Sequence, residues 1–228
     1  MEVNTQIELF PTGFEIEKIS HIKAMSIISK YHYLRGLSVA SQNFGAFLNG
    51  ELIGVVCFAM PISEAGRSMV FGEQYKDHVR ELVRLCLVPN CPVKASKIVS
   101  ASIKSLIRFR RKNNMSDLHA LLSFADTGQG HHGGIYQAMS WLYTGESKYK
   151  MRKYWDKTGR FRHHRQNGKD VSISDAKSRG WKVLVETSVK HRYIKLLGSK
   201  SQKKYFRARL KLDILTYPKP VINNHNNG

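Results

Sequence analysis

Three residue types gathered in one short stretch suit proton transfer and hydrogen bonding. In SFADTGQGHHGGIYQAMSWLYTG, residues 123–145, Asp126 ends an apolar run, His131 and His132 sit in a glycine-rich turn, and Tyr136 follows. Sites in α/β folds gather at the carboxyl ends of strands, and an acid there can accept a hydrogen bond from an amine or withdraw its proton. The bland alternative is an Asp capping a Thr-Gly turn. A phenol titrates at about 10, so Tyr136 is protonated at neutral pH and can serve as a proton donor. Its alternative is a core aromatic beside Ile135, Met139 and Leu142. Gly130, Gly133 and Gly134 allow a cofactor or DNA to approach the backbone closely. His131 and His132 are candidate metal ligands, but adjacent histidines do not readily point at one ion, and their spacing is not that of paired-His sites.

A second group lies elsewhere in the chain. His32 and Tyr33 occupy a predicted loop, where a neutral imidazole suits proton abstraction and a ring can stack on an extruded base. Arg84 interrupts an apolar strand, so either an acid such as Glu81 neutralises it or it faces an anion in a cleft. Ser96 stands at a helix start, as a functional hydroxyl or a plain N-cap. Cys57, Cys86 and Cys91 contain no CxxC pair and read as reduced, mostly buried thiols; a zinc site from Cys86, Cys91 and His131–His132 would have irregular spacing.

Elements must position these groups. Residues 16–31 place apolar side chains at helical spacing. In SQNFGAFLNGELIGVVCFAMP two apolar runs flank Asn49-Gly50, a strong hairpin signal, and Pro61 closes the second strand. RELVRLCLV (80–88) and LHALLSFAD (118–126) read as buried strands around a helix in KASKIVSASIKSLIRFRRK, and GGIYQAMSWLY reads as another helix. WKVLVET and KHRYIKLL look like short strands, and NNHNNG like a frayed tail. The order implies a mixed α/β (α+β) domain. The expected division is a catalytic core at 1–145, a basic extension completing the fold at 146–220, and a disordered tail at 221–228.

Charge separates these parts. Residues 1–144 hold 15 Lys plus Arg against 11 Asp plus Glu, whereas residues 145–228 hold 22 against 6, within an overall net charge of +20. A half this basic, with Tyr, Trp and Phe among its cations, is the footprint of a polyanion binder: cations neutralise phosphates and rings stack on bases or wedge between them. Candidate DNA contacts are Arg152, Lys153, Tyr154, Trp155, Arg160, Arg162, Arg165, Lys190, Arg192, Lys203, Lys204, Arg207 and Arg209. Tyr154, Trp155 or Phe161 would fill the space left by an extruded base. No apolar run approaches the roughly 20 residues of a membrane span, and a membrane partner is not expected. RFRHHRQNG offers a nuclease reading, but no carboxylate-rich metal site accompanies it.

The element order resembles the Gcn5-related (GNAT) acyltransferase superfamily, whose adjacent parallel strands splay apart to admit an acyl-coenzyme A. That resemblance implies splayed central strands at RELVRLCLV and LHALLSFAD, with acetyl-CoA held by Leu87, Val88, Lys94, Ala95, Ser96 and Lys97. NCPVKASK departs from the superfamily's Gln/Arg-x-x-Gly-x-Gly/Ala loop in having no glycine. More closely, HYLRG (32–36), the hairpin with FAMP, ELVRL (81–85), the KAS helix start, SFAD…GHHGGIYQA…YTG, KHRYIKLLG and YPK resemble the Mom family of phage DNA-modification proteins. The resemblance runs from about residue 30 to 220. It implies an enzyme that converts the exocyclic amine of adenine in double-stranded DNA to a carbamoylmethyl (acetamido) derivative, protecting phage DNA from restriction in the host cytoplasm. The implied catalytic set is His32, Tyr33, Arg84, Ser96, Asp126 and Tyr136, with acetyl-CoA and iron as implied cofactors. The family usually follows the serine with Arg, where this chain has Lys97. Oligomeric state stays open, a dimer included. The competing readings are a GNAT-type N-acetyltransferase acting on a protein or small-molecule amine, and a non-catalytic DNA-binding protein.

Overall fold

A computed structural model describes residues 11–33, 35–36, 41–61, 64–162, 165–166 and 169–218. The elements run β1 (Phe14–Ile19), α1 (His21–Tyr31), β2 (Gln42–Leu48), β3 (Glu51–Ala59), α2 (Glu64–Ser68), a 3₁₀ turn (Glu73–His78), β4 (Val79–Leu87), α3 (Ala95–Lys112) and β5 (Ala120–Asp126). A second 3₁₀ turn (Thr127–Gln129) follows, then α4 (Gly134–Ala138), β6 (Leu142–Trp155), β7 (Phe161–Arg162), β8 (Arg165–Gln166), β9 (Lys169–Asp170), α5 (Ile173–Ser178), β10 (Lys182–Leu196) and α6 (Lys200–Arg207).

The chain divides into two compact units. The first holds residues up to Phe124, Gly133–Gly145 and Arg192–Pro218; the second holds Ala125–His132 and Glu146–His191. One cut falls at the expected 145/146, but the units interleave: Ala125–His132 joins the second and Arg192–Pro218 returns to the first. Residues 192–218 return to the first unit because Ile194, Leu196 and Phe206 are buried in one core with Val70, Phe71, Val79, Ala120 and Leu122. The expected tail at 221–228 lies outside the described residues.

In the first unit the strand order is β1-β2-β3-β4-β5-β10-β6. β1 to β4 are antiparallel neighbours, and β4 lies parallel to β5. Asn49 and Gly50 turn the β2–β3 hairpin with φ of 50° and 83°, the positive angles that Asn-Gly tolerates. The β4–β5 pairing is short: Val79, Arg80 and Glu81 register with Ala120, Leu121 and Leu122, and there the ladder ends although β4 continues to Leu87. Its cause lies on the other edge of β4. Cys57 pairs with Arg84 but Phe58 pairs with Leu82, so Val83 is an extra residue. A bulge of this kind bends its strand, here away from β5. The fold is therefore a mixed α/β sheet with splayed central strands, as the GNAT-like resemblance implies.

Two elements differ from expectation. Residues 14–19 form β1 rather than the start of a helix; FEIEKI alternates Glu15 and Glu17 outward with Phe14 and Ile16 half-buried, and Ser20 caps α1 by accepting from Lys23 N at 3.1 Å. The helix after the glycine-rich turn lasts only from Gly134 to Ala138. Ser140, at a left-handed φ of 54°, ends it, and Trp141 is buried as the chain enters β6.

The second unit packs Tyr154, Val171 and Ala176 against Trp181 and Val183. It contains the remaining parts of β6 and β10, the short β7 on β6, and α5 capped by Ser172. Its β8–β9 pair is antiparallel.

Candidate active site

Where β4 leaves β5, a carbonyl of the abandoned ladder finds a side-chain partner. Ser123, buried on β5, lies 2.9 Å from Leu82 O and 2.7 Å from the Tyr136 hydroxyl. Ser123 Oγ is the donor in both contacts, its one hydrogen shared between the Leu82 carbonyl and the phenol oxygen. Tyr136 is buried, tilted against Trp141 and Tyr193 at 4.9 and 5.2 Å between ring centroids. Burial pushes its phenol up to about 12, against a smaller opposing effect of the Ser123 contact; the negative charge of Glu81 and the neighbouring phenols of Tyr33 and Tyr193 add to the rise. The group thus stays protonated across the neutral range, as a donor must.

Tyr193 is held by Gln137 Nε2, which donates to its hydroxyl at 3.1 Å. The turn before α4 is shaped to that ring. Gly133 has φ of 79°, and a Cβ there would stand 2.3 Å from Tyr193.

His32 caps the C-terminus of α1, its N–H donating to Ile28 O at 3.0 Å. Its ring stacks on Tyr33 at 4.6 Å and 23°, and Tyr33 is 42% exposed, an open aromatic platform. Arg84 is half-buried, and carbonyls rather than Glu81 satisfy it: Nε donates to Gly36 O at 2.8 Å and Nη1 to Val83 O at 2.6 Å. The bulge residue therefore also anchors Arg84, which ties the 32–36 loop to β4. Facing it across the ladder, the buried Cys57 thiol is pushed up to about 12 by burial, with Arg84 working against that rise.

Ser96 is not the N-cap. Lys94 takes that position with no side-chain cap, and Ser96 is the second residue of α3. The first turn of this 18-residue helix contains no acid and carries Lys97. Its free N–H groups and positive dipole end suit a pyrophosphate. Leu87 and Val88 are half-buried at the end of β4, and Val88 N donates to Ile53 O.

In the second unit, Asp126 caps the 127–129 turn. Its Oδ1 accepts from Gly128 N at 3.1 Å, and Oδ2 lies 3.5 Å from Lys190 Nζ. The bland turn-cap reading is thus present in the structure, together with an ion pair that sets the carboxylate's second oxygen. Thr127 donates to Val189 O at 2.7 Å. His131 is exposed, and His132 lies 5.9 Å from the His191 ring. Burial pulls the buried His191 below the usual histidine range, the Glu146 carboxylate opposing and His132 adding to it. Among the described residues no three His, Cys, Asp or Glu side chains gather to hold a metal ion. The side chains present among the described residues fit neither iron nor the irregular zinc arrangement.

The basic residues divide sharply. Tyr154 is fully buried, its hydroxyl donating to Val171 O at 2.9 Å, so it is core and not a stacking or wedging group. Arg162 is committed to Asp156, at 2.8 and 2.7 Å, closing the β6–β7 turn. That carboxylate also accepts from Thr158 and from Arg160 N, and these bonds, led by the Thr158 side chain, hold it well below the usual carboxylate range. Arg192 is half-buried and clasps Thr144 through Oγ1 at 3.0 Å and the carbonyl at 2.6 Å. Arg209 lies 3.4 Å over the Tyr205 ring. Arg152, Arg160, Lys203, Lys204 and Arg207 are exposed, and Lys153, Trp155 and Lys190 half-buried. The side chains of Phe161 and Arg165 lie outside the described residues, as do His163 and His164.

Sequence reasoning missed Ser123, although a hydroxyl inside the apolar run LLSFA was a usable signal, since a buried hydroxyl needs a partner. Tyr193 and Gln137 gave no comparable sign.

A parallel strand pair that separates beside a bulge, with a buried phenol hydrogen-bonded to Ser123 where the strands part, defines a mixed α/β protein with splayed central strands. Residues 13–219 match the Mom protein family, and the chain belongs to it. No curated protein matches the chain. Among solved structures, a probable acetyltransferase from Staphylococcus epidermidis is 12% identical with a TM-score of 0.45, covering 81% of this chain and 99% of its own. A Bacillus subtilis acetyltransferase in complex with CoA is 11% identical (TM-score 0.42, 81% and 98% covered). A GNAT family acetyltransferase from Elizabethkingia anophelis with acetyl-CoA bound is also 11% identical (TM-score 0.40, 82% and 100% covered).

Proposed function

We propose that this protein is a DNA-modifying transferase that converts the exocyclic amine of adenine in double-stranded DNA to its carbamoylmethyl derivative, shielding phage DNA from restriction in the host cytoplasm. The observation that carries this reading is the family match over residues 13–219, which spans every residue given a role here. The cationic surplus after residue 144 supports a polyanionic substrate.

The reaction exchanges one N–H of adenine for a bond from that nitrogen to the methylene carbon of a –CH₂–CO–NH₂ unit, releasing the proton and the donor's leaving group. Adenine's amine is hidden by pairing, so the nucleotide must leave the stack, at a cost of a few kcal/mol. Tyr33, exposed and stacked on His32, is the proposed platform for the extruded base. Within the first unit His32 takes the proton of the amine and Tyr136 protonates the leaving group, with Ser123 hydrogen-bonded to its phenol.

Acetyl-CoA is the proposed cofactor; when bound it would supply a thioester-activated two-carbon unit that releases CoA thiol. The amide nitrogen and the new N–CH₂ bond of the product require in addition a nitrogen donor and a two-electron oxidant of the methyl carbon. The β4 backbone beyond Glu81, with Leu87 and Val88, would take its arm, and Lys94, Ala95, Ser96 and Lys97 at the start of α3 its phosphates. The absence of a glycine in this loop is offset by the uncapped helix end and two lysines.

The test is mass spectrometry of nucleosides from plasmid DNA of cells expressing the protein. A deoxyadenosine derivative heavier by one carbamoylmethyl group supports the reading. Unmodified deoxyadenosine alone, from soluble full-length protein, overturns it.

A further inference from the structure

Helix α6 carries cations where a core-facing helix would carry apolar groups. Lys200, Lys203, Lys204 and Arg207 follow the i, i+3, i+4, i+7 pattern of one helical face, and the helix contains no acid. Like charges at i, i+4 destabilise an isolated helix, so Lys200–Lys204 and Lys203–Arg207 work against α6. Other features hold it in place: a capping box between Ser199 and Gln202, and Phe206 stacked on His119 at 4.0 Å on its buried side. A stripe kept at a cost to the helix calls for an opposite charge outside it.

The stripe lines an open groove of about 420 Å³ in the first unit, completed by Ser140, Leu142, Leu196 and Lys195. No acid lines it. Lys195 is half-buried on its floor, with Nζ donating to Met139 O at 2.6 Å. Burial, and then the nearby Lys203, pull its ammonium below the usual lysine range, a condition that an anion in the groove would relieve.

We propose that this groove is a docking track for one phosphate backbone of double-stranded DNA, separate from any contact made by the second unit. From Lys200 to Arg207 the helix advances roughly 10 Å, at 1.5 Å per residue. One strand of a duplex presents about three phosphates over that rise. An open groove suits a continuous backbone, whereas a single small anion would leave most of the stripe unmatched. The inference rests on the reading that the protein acts on DNA, and it assigns the part of the molecule that grips the duplex.

The test uses full-length protein in which Lys200, Lys203, Lys204 and Arg207 are all changed to Gln. A control removes the same charge from exposed positions of the same unit: Lys23→Gln, Lys30→Gln, Lys104→Gln and Lys112→Gln. Affinity for a duplex of unmodified DNA is measured across salt concentrations. Each lost phosphate contact should lower the slope of log affinity against log salt by about one, so the groove variant should lose about three and bind at least roughly tenfold more weakly. The control should keep the wild-type slope. Thermal melting should show both variants folded, the groove variant no less stable than wild type.

Equal slopes for the two variants overturn the proposal. So does competition by inorganic phosphate, at matched ionic strength, that displaces duplex from wild type but not from the groove variant, because the groove is then a single-anion seat. Adduct formation by wild type together with an unchanged groove-variant slope sinks this inference alone. A lost slope without any adduct sinks the modification reading alone.

Discussion

The Tyr136 hydroxyl stands 2.7 Å from Ser123 Oγ, which in turn bonds Leu82 O at 2.9 Å, so the buried phenol is aimed at the point where β4 and β5 separate. Ser123→Ala removes the donor shared by the phenol oxygen and the Leu82 carbonyl. Leaving buried polar groups unsatisfied costs about 1–3 kcal/mol. The expected result is a lowered melting temperature and reduced adduct formation, with partial rescue by Thr. Unchanged stability would mean the relay contributes nothing.

Alkaline pH tests the same phenol differently. Its folded value is raised from the model-compound value of 10.0 to about 12. A raised value means the folded state holds its proton more tightly, so the associated stability is intact below about 10 and is lost as pH climbs toward about 12. Cys57, raised to about 12, and Cys86, raised to about 11, lose stability over an overlapping range that starts near 9. Urea unfolding between pH 8 and the alkaline limit should show falling stability, and Tyr136→Phe should flatten part of the fall above about 10. An identical profile in the variant would contradict the shift.

Gly133 tests the fit of the turn to Tyr193. Gly133→Ala puts a Cβ against the ring, with nearest atoms at 2.3–2.6 Å, on a backbone at φ of 79°. Strain of this kind costs on the order of 1–3 kcal/mol. Melting should fall accordingly, and the Tyr193–Gln137 bond should loosen. Gly134→Ala, with open space around it, should be far milder.

Tyr154 and Arg152 separate packing from binding in the second unit. Tyr154→Ala should destabilise by roughly 3–5 kcal/mol, as removal of a buried aromatic does. Arg152, exposed, should alter DNA affinity and leave melting untouched. If Tyr154→Ala melts like wild type while losing DNA affinity, the ring is a contact after all.

Local signals made much of this fold legible. Asn49-Gly50 marked its hairpin, the apolar runs at 80–88 and 118–126 marked β4 and β5, and the spacing of Ile98, Ile103 and Leu106 marked α3. The bulge at Val83 was not legible, because it is a mismatch between two strands and neither strand carries it alone. β10 was legible only as two short strands, WKVLVET and KHRYIKLL, and β6 was hidden, because cations such as Lys153 and Lys190 interrupt their alternation and imitate a polyanion-binding segment. That imitation misplaced Tyr154, which is fully buried with its hydroxyl on Val171 O, while Arg162 and Arg192 hold Asp156 and Thr144. It also means that truncation near residue 145 would remove part of β10 from the core sheet and test folding rather than DNA binding.

The central claim is that Tyr136 gives its proton to the leaving group during transfer to adenine. The direct measurement is the ratio of carbamoylmethylated to unmodified deoxyadenosine in DNA from cells expressing wild type or Tyr136→Phe at equal soluble levels. The account predicts abundant adduct with wild type and a loss of at least about 100-fold in the variant, the scale of positioned proton transfer. Equal adduct from both proteins would contradict it.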